Sequence, residues 1–381
     1  MQPMTPPFSR RRALGLAGGA VLAAALPAVA QAQQRPFGEA DYARAFVIDA
    51  QGGFGDPDAD AKILTAVASS GLTAVSVTMG QVGNGPGRYE SVIDYIAQAD
   101  GWLSSYPKVL APVRTASDLR AAKASGRVGL IYNLQDTSAL EGDDSRVATL
   151  KNLGIRIIQL TYNKRGLSGD GCQEPGNAGV SDFGRKVIAE LNAHRVLLDL
   201  AHGGERTVAE AAKLSARPPA VTHTGCRALV NHPRNLTDET LRTVAEQGGV
   251  VGIYFMSYLR SGIGDPARDA RGEDLIAHLE HAVKVCGEDH VGIGTDGGVD
   301  TFVLNDETRA RQKAHHEQRV REGVASPGDG PDVYNYLAEY NGPRKLLTLG
   351  QDLSRRGWPT ARVEKIIGGN FARLFGEVWD A

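Results

Sequence analysis

Three side chains in this 381-residue chain have the types and the placing to hold a metal ion. His202 follows the apolar run 196–200, His223 follows 220–222, and Asp296 ends 290–295. Imidazole nitrogen and carboxylate oxygen are the ligands of a zinc-like divalent ion, and three protein ligands leave a fourth position for water. Water on such an ion ionises near neutral pH and attacks a carbonyl, so the implied chemistry is hydrolytic. One histidine at a strand end is ordinarily a hydrogen-bonding core residue. Recurrence at the ends of three separate runs is what points to a metal. The remaining histidines read as structural or solvated: His194 at a helix end, His278 and His281 within a helix, His290 opening a strand, and His315-His316 in a polar segment.

The runs that carry these residues belong to a regular series. Eight β-rich stretches occur at 46–50, 73–78, 128–134, 156–161, 196–200, 220–222, 249–255 and 290–295. Most are near-continuous Val, Ile and Leu, as expected of strands buried on both faces. Helical patterns at 60–69, 183–194, 205–215, 238–247 and 274–286 separate several of them, with Thr237 placed to cap the fourth. Strand alternating with helix predicts an α/β fold, a (β/α)8 TIM barrel with a C-terminal helical segment. In such a barrel the reactive residues stand at the C-terminal ends of the strands, where His202, His223 and Asp296 fall. The connections 163–182 and 300–340 are long enough to build or cover that face. Gly368-Gly369 reads as a helix stop, and Asp56-Pro57-Asp58-Ala59-Asp60 as a turn and helix cap.

A net charge of −2 gives no electrostatic footprint for nucleic acid, and three cysteines do not make a disulfide framework. The N-terminus reads as an address. Ser9-Arg10-Arg11-Arg12 precedes an apolar Ala/Gly-rich run over 13–30, and Ala28-Val29-Ala30 and Ala30-Gln31-Ala32 are small-x-small cleavage sites. The arginine pair fits a twin-arginine signal. The expectation is a signal peptide over 1–32, one barrel domain over 33–381, a periplasmic or secreted location, and no membrane span after cleavage. A homodimer is compatible with this.

Several motifs together resemble the membrane (renal) dipeptidase family. They are Asp199-Leu200-Ala201-His202, His223-Thr224-Gly225-Cys226-Arg227-Ala228-Leu229, Asn231-His232-Pro233-Arg234-Asn235, Gly248-Gly249-Val250-Val251, Asp289 to Asp296 and Gly368-Gly369-Asn370-Phe371. The resemblance implies a two-metal hydrolase of the amidohydrolase type, acting on dipeptides and often accepting D-residues at the C-terminal side. It would give His202 and His223 to one metal, and Asp296 to the other with a part in proton transfer. Arg227 would hold the substrate carboxylate, unless it serves as a structural ion pair. The resemblance would also put Tyr162 near the substrate, where the family commonly has histidine.

The chain departs from that pattern where charge matters most. Gln51 and Gly53 stand for the family's strand-one His-x-Asp pair, and Gln135 for its bridging Glu. Glutamine is a neutral, weak ligand, so one zinc ion is easier to accommodate than two. That ion needs a further ligand. Asp296 is one candidate, Asp136 a second, and the insert 170–175, with Cys172 and Glu174, a third. The plain reading of Cys172 is a loop residue. Three functions fit: a metal-dependent dipeptidase-like hydrolase using a metal-activated water, the same barrel acting on another amide or lactam, and a catalytically impaired peptide-binding barrel.

Overall fold

The eight expected strands are present and pair in sequence order. A computed structural model describes residues 35–53, 55–260 and 269–380; the expected leader lies outside them. The strands are β1 (Ile48–Gly52), β2 (Ala74–Thr78), β3 (Val128–Leu134), β4 (Ile155–Gln159), β5 (Leu197–Asp199), β6 (Ala220–Cys226), β7 (Val250–Ile253) and β8 (Val291–Ile293). Every neighbouring pair is parallel. Past β8 the chain returns to β1: Asp296 N–H donates to the Gln51 carbonyl at 2.7 Å, Val299 N–H to that of Gly53 at 2.9 Å, and Gly53 bridges Gly298. The result is the (β/α)8 TIM barrel.

Alternation along the strands divides the core in two. Ile48, Ile131, Ile157, Leu197, Ala220 and Val250 face one buried cluster, which the C-terminal helix Asn370–Trp379 completes with Phe371, Leu374, Phe375 and Val378. Their strand neighbours Val47, Leu130, Ile158, Leu198, Val221 and Val251 join a second cluster with the surrounding helices. Successive strand side chains point to opposite faces, and both faces are apolar because both are covered. Helix starts follow their caps. Asp60, Ser181 and Thr237 accept from Lys62, Gly184 and Thr240 N–H, so the acidic 56–60 run is the turn and cap expected of it.

Three features differ from the sequence expectation. A short strand, Leu110–Pro112, pairs with the start of β3, and three residues carry too little pattern to be read as a strand. The connection 300–340 contains a 16-residue helix, Asp306–Arg321, opened by an Asn305/Thr308 capping box. Its surface is polar almost all round, so hydrophobic periodicity could not reveal it. Gly368-Gly369 kinks the C-terminal helices rather than stopping them; Gly368 has φ of 158° and sits against the backbone of Phe46 and Ile48, where a Cβ would not fit.

Candidate metal centre and active site

The loops after the strands and the helix Asp306–Arg321 enclose a cavity of about 310 Å³ at the C-terminal mouth of the barrel. Gln135, Tyr162, His202, Arg234, Asp296 and Arg319 are among its lining residues. His202 and Asp296 both have left-handed backbones, with φ of 60° and 54°. Such strain in non-glycine residues persists where surrounding contacts impose it. At His202 the Cys172 N–H donates to its carbonyl at 2.7 Å, and at Asp296 the N–H is tied to Gln51.

His202 and His223 meet through their Nε2 atoms, 2.9 Å apart. Their other nitrogens fix what those atoms carry. Asn163 Nδ2 faces the Val324 carbonyl at 2.7 Å, so Asn163 must turn its Oδ1 to His202 Nδ1, which donates to it at 2.6 Å. The Thr222 hydroxyl donates to Asp199 at 2.6 Å, so it must accept from His223 Nδ1, 2.8 Å away. Both ring protons are therefore at Nδ1, and two Nε2 lone pairs face each other. Burial, followed by the positive charge of Arg234, pushes both imidazoles well below their usual range, which keeps them neutral. Facing lone pairs on neutral rings repel, and an ion bound to both nitrogens at about 2.0–2.1 Å, to one side of the line joining them, would relieve this, so the donor types fit one metal ion.

The remaining candidates are placed as follows. Asp296 lines the cavity, and burial raises its carboxyl while Arg234 and Arg319 oppose the rise. Tyr162 stacks on His202 with ring centroids 4.2 Å apart. Gln135 lines the cavity, and its amide and that of Gln51 donate to Thr78. Asp136 is spent on Gly83 N–H and on Ser138. Cys172 points its Sγ at Asn163 Oδ1 from 3.6 Å, and burial raises its thiol, so it stands as a protonated loop residue rather than a thiolate. Glu174 lies 3.6 Å from Arg165. Among the described residues, no three His, Cys, Asp or Glu side chains gather as a ligand set.

Arg227 does not line the cavity. It pairs with Glu205 at 2.8 Å and donates to the Pro233 carbonyl. Arg234, from the same stretch, is the arginine that enters, 3% exposed and lying over the Tyr254 ring. Two arginines seven positions apart are equivalent in composition, and only the turn through Pro233 decides which one points inward. His315 and His316, expected in solvent, line the cavity with Gln312 and Arg319 because their segment folds as a helix over the mouth. His194, His278, His281 and His290 are structural: His278, for example, takes the Cys226 N–H at 2.8 Å.

Residues 63–312 match the model of the membrane dipeptidase family, peptidase family M19. The chain belongs to this family. Membrane dipeptidases are metal-dependent hydrolases, and this chain is a dipeptidase-type member with the barrel of that family. An uncharacterized Klebsiella pneumoniae protein of the pqqA 5' region is 27% identical over 70% of this chain and 88% of its own length. The dipeptidase tcpJ of Claviceps purpurea is also 27% identical over 70% of this chain, which spans about half, 54%, of that protein. In structure, an amidohydrolase from Pseudomonas aeruginosa superposes with a TM-score of 0.77 at 28% identity, covering 90% of this chain and 99% of that one. A metallopeptidase from Rhodobacter sphaeroides, liganded with a phosphinate mimic of L-Ala-D-Ala, shares the fold at a TM-score of 0.70 and 20% identity over 88% of this chain and 99% of its own.

Proposed function

We propose that this membrane dipeptidase family member hydrolyses the amide bond of a dipeptide or dipeptide-like substrate, with one zinc-like divalent ion held by His202 and His223. The observation that carries the reading is the 2.9 Å approach of the two Nε2 atoms, with Asn163 and Thr222 placed to hold both ring protons at Nδ1. A bound divalent ion supplies a polarised carbonyl and a water that ionises near neutral pH. The rest of the chemistry falls to the chain's own side chains. Arg234, buried at the cavity wall, can take the substrate carboxylate with two parallel N–H donors. Asp296 faces the same space, and burial tunes its carboxyl upward, toward the range useful for passing a proton from water to the leaving amine. Tyr162 and the helix Asp306–Arg321 restrict access by bulk water. Gln51 and Gln135 support a count of one, since neutral amides do not offset a second divalent charge.

Metal analysis of the purified protein, joined to hydrolysis of a broad dipeptide panel before and after chelation, tests this. One ion per chain is expected, with activity lost on chelation and in His202→Ala. Hydrolysis that survives complete metal removal overturns it.

A second substrate class is favoured by one observation. A neighbouring cavity of about 590 Å³ shares Tyr162 with the first and contains Leu160, Lys164 and Leu167. An amide or lactam larger than a dipeptide could extend past Tyr162, and cleavage confined to such compounds in the same panel would select this reading. The N-terminal basic and apolar segments support export by the twin-arginine route to the periplasm or beyond. N-terminal sequencing of the exported protein should begin after residue 30 or 32; retention of the whole leader in the cytoplasm overturns it.

A further inference from the structure

The connection after β4 and the segment after the helix Asp306–Arg321 are joined at one side chain. Asn163 is fully buried. Its Nδ2 donates to the Val324 carbonyl at 2.7 Å and to Ser326 Oγ at 3.3 Å, both on the strap 322–330 that follows the helix. Its Oδ1 receives the His202 Nδ1 proton at 2.6 Å. The two ends of this amide therefore do different work. A carbonyl can only accept, so the strap decides which way the amide points, and the amide in turn decides which ring nitrogen of His202 keeps its lone pair.

We propose that Asn163 is a positioning residue that couples the seating of the strap to the tautomer of His202, so that the ring offers its Nε2 lone pair to a cation while the strap is docked. With the strap displaced, the amide loses the acceptor that orients it. It is then free to turn its N–H to His202 Nδ1, which drives the proton to Nε2, where it bridges to His223 as an ordinary N–H···N hydrogen bond. In that arrangement the pair has one lone pair fewer to give.

The surroundings support the coupling. Gln173 N–H donates to the Asn163 carbonyl at 2.8 Å, and Gln173 Nε2 donates to Ser326 Oγ at 2.6 Å, so the insert 170–175 braces both partners of the relay. Gly171 makes this possible, since a Cβ there would collide with the backbone of Tyr162 and Asn163. The strap has further anchors, on the preceding helix and on the barrel. Arg319 reaches Tyr162 Oη at 3.1 Å and the Val324 carbonyl at 3.0 Å, Tyr258 donates to Asp329, and His232 donates to the Pro327 carbonyl at 2.8 Å. Ordering of the strap by contacts at the cavity wall would thus reach the imidazole without touching it. Outer partners of this kind fix ring orientation and typically change metal affinity 10–100-fold when lost.

The inference rests on the proposed ion position at His202 and His223, and the test separates the two. Nitrogen-15 spectra of the histidine rings in the metal-free full chain report the tautomer directly, and competition with a chelator gives the affinity for zinc alone. The wild-type protein should show His202 protonated at Nδ1. Asn163→Leu, which removes both ends of the relay, should move His202 toward the Nε2 tautomer and weaken zinc binding about 10–100-fold. Asn163→Asp keeps the acceptor for His202 but loses the donor to Val324. It should retain the Nδ1 tautomer and zinc affinity while hydrogen exchange at 324–326 accelerates. A wild-type His202 protonated at Nε2 overturns the relay outright, even if Asn163→Leu fails to fold. Unchanged tautomer and affinity in a folded Asn163→Leu also overturn it, as does unchanged exchange of the strap in Asn163→Asp. Failure of the wild-type chain to bind zinc at all sinks the ion position instead.

Discussion

The amides of Gln51 and Gln135 converge on a single oxygen: both donate to the Thr78 hydroxyl, at 3.1 and 2.8 Å. Thr78 passes its own proton to Asn133 Oδ1 at 3.3 Å, and Asn133 donates in turn to Ser76 at 2.7 Å. A hydroxyl has two lone pairs and one proton, so Thr78 is saturated. The strand-one and strand-three positions are thus neutral, and each gives one amide N–H to the same hydroxyl.

This network predicts the effect of restoring charge. A Gln51→His, Gly53→Asp, Gln135→Glu triple variant should take up a second ion, raising the count from about one per chain to about two. Gly53 has room, with nothing within 4 Å of a Cβ built there. Without metal the variant should be less stable than the parent, by about 1–3 kcal/mol for each buried polar group left unpaired. Metal analysis and denaturant unfolding check both parts. A folded triple variant that still binds one ion would show that something other than this network limits the count.

The two arginines separate by function. Arg234→Leu removes a buried guanidinium from the cavity and should raise KM by roughly 10–150-fold, the equivalent of about 1.5–3 kcal/mol for a charge-assisted contact. Arg227→Leu should leave KM within about twofold and cost about 1 kcal/mol or less, because its partner Glu205 is partly exposed. Steady-state kinetics of both variants on the same substrate decides the matter. Equal KM effects would return Arg227 to the binding role.

How far the sequence carried these conclusions depended on the kind of signal. The barrel was legible because buried parallel strands are apolar on both faces, and Ile157 and Ile158 both count toward the pattern while serving different cores. The placing of His202 and Asp296 just past β5 and β8 was legible from where the apolar runs stop; His223 breaks the apolar run 220–222 but lies within β6, which continues to Cys226. What remained hidden was orientation. Nothing in Arg227 and Arg234 distinguishes an ion pair from a cavity wall, and nothing in His315-His316 shows that a polar helix lies across the mouth. Asn163 carries no local sequence signal beside Tyr162, because its contacts lie 39 and 161 residues away along the chain.

His223 is held by Thr222, whose hydroxyl links the ring to the buried carboxylate of Asp199. Thr222→Val keeps the shape and removes the link. The His223 Nδ1 proton then has no fixed partner, and zinc affinity should fall about 10–100-fold. Asp199 also loses one of its three bonds, leaving those from Thr222 N–H at 2.9 Å and Ala201 N–H at 3.0 Å. The corresponding loss of stability is about 1–3 kcal/mol. Chelator competition and unfolding in denaturant measure the two effects. A variant with unchanged zinc affinity would mean that His223 needs no help in choosing its tautomer.

Asp49 mirrors Asp199 on the opposite side of the barrel, accepting from Thr295 N–H at 2.8 Å and from the Thr295 hydroxyl at 2.6 Å. Burial pushes its carboxyl up to about 6, against the pull of Lys345 and of the Thr295 bonds. The unfolded chain ionises the same group near 3.9. Below about pH 4 both states hold the proton, and the contribution to stability is fully present. As pH rises from about 4 to 6 the unfolded state ionises first, so that contribution is lost, amounting to roughly 3 kcal/mol by pH 7. Asp49→Asn cannot ionise and escapes the loss. Its stability relative to the parent should therefore improve by roughly 2–3 kcal/mol between pH 4 and pH 7, read as the shift in the difference of their urea unfolding free energies. A difference that stays constant across that window would mean that Thr295 and Lys345 together cancel the cost of burying the charge.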